Sequence, residues 1–147
     1  MRRPLLLALA AAGAVAAVAA STAPAAGGLA VTGAWARASA AGTTTGAAYF
    51  TVRAGATGDT LTGIAVDPAV ARAAELHESM LDDMGMMSMD PVHAVPVRAG
   101  GSLVFKPGGH HVMLVGLKRP LRTGQRFTLT LRFARAGARF VTAVVRP

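Results

Sequence analysis

Ten soft or borderline donor side chains crowd into a quarter of this 147-residue chain. They are His77, His93, His110 and His111, with Met80, Met84, Met86, Met87, Met89 and Met113. Apart from Met1, no methionine or histidine lies outside the 37 residues from 77 to 113. Core methionine is normally a dispersed gap-filler, so this segregation needs a local cause. A thioether is a soft neutral ligand and an imidazole a borderline one. Without thiolates or a dominant carboxylate set, the two together select Cu(I) among first-row ions. Mg²⁺ and Ca²⁺ want oxygen cages, and catalytic zinc wants three histidine or carboxylate ligands with an open position. The chain has no cysteine. That excludes disulfides, zinc–thiolate and iron–sulfur sites, thiol catalysis, blue-copper centres and a lipid-modified cysteine among these residues.

Spacing narrows the donor set. His111-Val112-Met113 is an H-x-M pair in an apolar run, and residues i and i+2 of a strand share a face. The turn Lys106-Pro-Gly-Gly-His110 can present the start of that strand at the edge of the domain. His77 ends a candidate strand over 73–78, and Met89 closes a methionine-rich loop. Two loops converging on one strand can supply a His₂Met₂ site from His77, Met89, His111 and Met113. Taken alone, His111 and Met113 also suit a core. His110 points to the opposite face as a surface residue, and His93 falls in a candidate strand over 92–97 as a structural residue. Met80, Met84, Met86 and Met87 either pack on the domain or collect Cu(I) and pass it inward.

The elements that must position these residues are short strands between glycine and proline turns. Phe127-Thr-Leu-Thr-Leu-Arg-Phe133 alternates apolar and polar strictly, the signature of a half-buried strand. Further strands are expected over 31–35, 47–53, 60–66, 73–78, 92–97, 102–105, 111–117 and 139–145, with a helical turn around Pro68–Ala74. This pattern predicts a single all-β domain, a sandwich or barrel. Residues 1–26 read as a signal peptide: a positive start at Arg2 and Arg3, a small-apolar run from Leu5 to Ala20, then small residues. The rival reading, an uncleaved anchor, suffers from a run that is short for ~30 Å of hydrocarbon. The formal charge of +8 falls to +6 once Arg2 and Arg3 leave with that segment. Residues 75–90 carry −5 with no Lys or Arg, and the rest of the mature chain carries +11. The arginines are scattered, so no nucleic-acid surface is expected. The acidic window is a solvated loop or, alternatively, a device that steers cations or a basic partner.

The pattern His77-x₁₁-Met89-x₂₁-His111-x-Met113 resembles the motif of the PCuAC-type periplasmic copper(I) chaperones. Gly33-Ala-Trp-Ala-Arg37, Gly46-Ala-Ala-Tyr-Phe50, Asp59-Thr-Leu61, Glu75-Leu-His-Glu78 and Pro107-Gly-Gly-His-His-Val-Met-Leu114 resemble the flanking segments of that family. The resemblance covers most of residues 27–147. It implies a cupredoxin-like Greek-key β-barrel, copper near the surface, and His77, Met89, His111 and Met113 as ligands. It also implies a carrier rather than an enzyme, taking Cu(I) to the dinuclear copper centre of a haem-copper oxidase or to another copper chaperone. The extra methionines and His110 depart from the pattern and leave open a second ion. The expected product is a periplasmic monomer with no membrane span after signal cleavage. A copper storage or resistance protein and a secreted β-sandwich interaction module are the alternatives.

Overall fold

In the computed structural model, residues 28–147 are described, and the signal-peptide assignment to 1–26 lies outside them. Ten strands follow in order: β1 (Ala30–Arg37), β2 (Thr45–Arg53), β3 (Asp59–Val66), β4 (Ala71–Leu81), β5 (Met87–Pro91), β6 (Val95–Val97), β7 (Ser102–Val104), β8 (His110–Leu117), β9 (Arg126–Phe133) and β10 (Gly137–Arg146). They form one sheet in the order β5-β4-β8-β2-β1-β10-β9-β3-β6, with β7 beside β2. Every pairing is antiparallel except β1 with β10, which joins the two ends of the domain in parallel. β3 and β4, near opposite ends of this path, pack together although no ladder joins them among the described residues. The sheet therefore curls into a barrel that stays open at that seam.

Alternation along each strand builds the core. In β9, Phe127, Leu129, Leu131 and Phe133 are buried and lie among Phe50, Val52, Leu61, Val112, Leu114 and Val145. Leu129 is fully buried. Replacing it by Ala should cost about 2–5 kcal/mol of stability, read as a lower midpoint in urea with an unchanged slope. A loss below ~1 kcal/mol would mean that this strand is not the core strand described here.

Three expected elements differ. The turn near Pro68 is confined to Pro68–Val70, capped by the Asp67 carboxylate, which accepts from Ala69 N–H at 2.9 Å. Ala71 already starts β4, because pairing to β8 outweighs the low strand preference of Ala. The expected methionine loop is a hairpin, with β4 running on to Leu81 and returning as β5. The strand expected over 92–97 shrinks to Val95–Val97, which leaves His93 exposed in a bend. No helix among the described residues is long and apolar enough to cross a membrane.

Candidate metal centre

β8 lies between β4 and β2, and the edge strand β5 pairs with β4 alone. His77 on β4 and His111 on β8 are direct cross-strand partners, with ring centroids 5.7 Å apart and 31° between ring planes. Met113, two residues beyond His111, sits opposite Glu75 on β4 and Ala47 on β2. Met89 on β5 sits opposite Ser79 on β4, one step along from His77. Cross-strand partners share a face, so all four side chains emerge on one face of the sheet. Leu76, Val112 and Leu114 occupy the other face, in the core. The four residues expected from the sequence therefore share one sheet face, and Met89, His111 and Met113 line one cavity whose walls do not include His77. The histidines are buried, at 8% and 6% exposure, Met113 is half-buried, and Met89 is 57% exposed. An open cavity of about 500 Å³ is lined by Met87, Met89, His111 and Met113, with Tyr49 and Ser79.

Hydrogen bonding sets which nitrogen of each imidazole is free. His77 Nε2 lies 2.9 Å from Glu75 Oε2. An ionised carboxylate only accepts, so Nε2–H donates and the lone pair sits on Nδ1. His77 Nδ1 is buried and has no hydrogen-bond partner among the described residues. At His111 the roles reverse: Nδ1–H donates to the Gly109 carbonyl at 3.2 Å, which frees Nε2. A buried acceptor without a partner costs free energy unless something else satisfies it. A soft cation bound at His77 Nδ1 would meet that need. Carboxylate and carbonyl partners of this kind are what orient ligating imidazoles in metal sites.

Tyr49 closes the cavity on the β2 side. Its ring packs against Trp35 with centroids 4.6 Å apart and 36° between the planes, and the Arg146 guanidinium lies 3.9 Å from the centre of the Trp35 ring. Burial pushes the Tyr49 phenol above its ordinary range, and the Arg37 charge partly offsets this, so the phenol is neutral at pH 7. Glu75 and Tyr49 were not singled out as site residues from the sequence, whereas Met87 was expected only as a packing or Cu(I)-collecting residue. Glu75 carried a usable signal, since it stands two residues before His77 and so on the same strand face. His93 does not line this cavity; it lines a separate cleft with Thr62, Ile64, Val92 and Glu75. Met80, Met84, Met86 and Met87 are 52–88% exposed, so packing on the barrel does not account for them.

The family described as "Putative lipoprotein LpqE-like" matches residues 29–145. The protein named "Putative lipoprotein Lxx21020", from Leifsonia xyli subsp. xyli (strain CTCB07), is 33% identical over 107 residues. That alignment covers 73% of this chain but 63% of the relative, so the chain spans less than two thirds of its length. Among solved structures, the apo PCuAC domain from PmoF1 is similar with a TM-score of 0.66 at 25% identity, over 80% of this chain and 92% of that one. The solution structure of CuI-DR1885 from Deinococcus radiodurans is similar with a TM-score of 0.58 at 32% identity, over 78% of this chain and 75% of that one. The all-β, cupredoxin-like fold expected from the resemblance is thus the fold that the structure has.

Proposed function

Because the chain belongs to the LpqE-like family and has the fold of a PCuAC domain, we propose that it is an exported carrier of Cu(I). The observation that carries this reading is the His77–His111 pair. Its two free nitrogen lone pairs are set by Glu75 and Gly109, on a sheet face shared with Met89 and Met113. The donors are neutral and suit a soft monovalent ion. The similar structure at 32% identity is that of a Cu(I) form, CuI-DR1885, which supports the same cargo here.

Cu(I) is the cargo, and the work of the chain is to hold it and let it go. His77, His111 and Met113 stand on two inner strands, and Met89 stands on the edge. A partner thiolate or imidazole can displace the thioethers one at a time, so the ion is never free in solution. The acceptor in this reading is the copper-bearing subunit of a haem-copper oxidase, at its dinuclear copper centre, or another copper chaperone. Residues 1–26 direct export, and the mature protein works as a periplasmic monomer. Relatives are described as lipoproteins, yet these 147 residues contain no cysteine that could take a thioether-linked lipid.

Titration of the purified protein against a Cu(I) indicator under reductant tests the reading. One Cu(I) per chain should bind tightly. A ratio near zero would overturn the carrier assignment and leave an interaction module in its place.

A further inference from the structure

β5 ends the sheet as an open edge. It pairs with β4 alone and is exposed along its whole length. Val92 N–H donates to the Leu76 carbonyl at 2.9 Å, and Asp82 N–H donates to the Met86 carbonyl at 3.0 Å. Antiparallel ladders alternate bonded and non-bonded pairs, so in this register Ser88 and Asp90 turn their backbone groups toward β4. Met87 and Met89 turn theirs outward, where no strand is paired among the described residues. Natural edges are blunted by lysine, by internal proline or by a bulge. Met87–Pro91 has no lysine, its register with β4 is unbroken, and its one proline is the last residue. The edge is also preformed. The Asp82 carboxylate fixes the turn by accepting from Met84 N–H at 2.9 Å and Met86 N–H at 2.8 Å.

What guards this edge is charge. Residues 75–90 carry five carboxylates and no Lys or Arg. Two copies of the edge would bring like charges together, whereas a strand bearing Lys or Arg is attracted. We propose that β5 is the docking edge of the carrier, a reading that rests on the Cu(I) function above. A basic, extended segment of the protein that exchanges copper with it adds to the sheet as a further strand, through the backbone groups of Met87 and Met89. Alternation gives that segment a definite pattern. The side chains of Met87 and Met89 line the front cavity, and Ser88 and Asp90 stand on the reverse face. Basic residues of the added strand fall on the reverse face beside Asp90, and the residue opposite Met89 falls on the front. Its Cα lies ~5.5 Å from that of Met89. A thioether, imidazole or thiolate at that one position can replace the Met89 sulfur on the ion, one bond to the metal forming as the other breaks.

The probe is a capped heptapeptide with lysine at every other position, valine between and methionine at the centre. Added to the metal-free, ¹⁵N-labelled protein, it should shift the Met87 and Met89 amide resonances and slow their exchange with solvent. The same peptide methylated on the backbone nitrogens of its pairing edge should bind about tenfold or more weakly. Met87→Pro deletes one outward N–H and leaves the bonds to β4, so it should lose the peptide, whereas Met87→Leu keeps it. Asp83→Asn/Asp90→Asn should weaken binding, most of all at low salt. Met87 and Met89 amides that stay in place overturn the proposal. So does a methylated peptide that binds the wild-type protein as tightly as its parent, a comparison that needs no variant to fold. Shifts of these amides with protein concentration alone also overturn it, by assigning the edge to a second copy of the chain. If the peptide pairs with β5 but the protein takes up no Cu(I), the docking edge stands and the carrier reading fails. Cu(I) uptake without peptide pairing has the opposite meaning.

Discussion

Acidification from pH 7 to pH 5 weakens Cu(I) binding steeply in the wild-type protein and hardly at all in a His77→Met/His111→Met variant. An imidazole must be neutral to ligate, so protons compete with the metal for His77 Nδ1 and His111 Nε2. Each competing proton costs a factor of ten per pH unit, and two give a slope of up to about two decades per unit. A thioether has no proton in this range, so a site of four thioethers is flat. Lower pH therefore disfavours the loaded protein. Both replacements introduce an unbranched, adaptable side chain that the packing can absorb. Competition titrations at four pH values, corrected for the indicator's own titration, measure the two slopes. Parallel curves would falsify the two-histidine assignment even if both proteins bound copper tightly.

His111→Ala should reduce Cu(I) affinity by about a hundredfold or more, whereas His93→Ala leaves it unchanged. His111 is 6% exposed, stands opposite His77 and shares a strand face with Met113. His93 is exposed in a bend between β5 and β6. Removing His111 deletes a donor and also strands the His77 lone pair beside an empty volume. Thermal unfolding of the two metal-free variants separates loss of a ligand from loss of the fold. Equal losses of affinity in two well-folded variants would mean that the donors have been wrongly chosen.

What could be read in advance followed from periodicity. Strict alternation marked β9, and the i, i+2 relation put His111 and Met113 on one face, as the structure has them. β5 could not be found that way. Met87-Ser-Met-Asp-Pro91 has little strand preference and is exposed throughout. It is a strand because β4 offers it a ladder and Asp82 closes the turn. The length of β4 was hidden for a related reason, since Ala71 to Ala74 form a strand only against β8. Opposition of His77 to His111 is a register between strands 34 residues apart, and nothing local in either strand fixes it. The parallel contact of β1 with β10 is likewise a property of the closed chain.

The edge position of β5 has a consequence for how an ion would be released. Three of the four front-face donors are bolted to a frame held by neighbours on both sides, and the fourth rides on a flap with a single attached edge. Fraying is cheapest where a strand has one partner and little buried surface. Opening the hairpin from its tip would therefore withdraw Met89 first, whereas His77, the partner of Pro91 at the far end of β5, keeps β8 as its other neighbour. A cargo clasped in this manner can be undone from the solvent side by whatever docks there, with the barrel left intact and ready to be refilled.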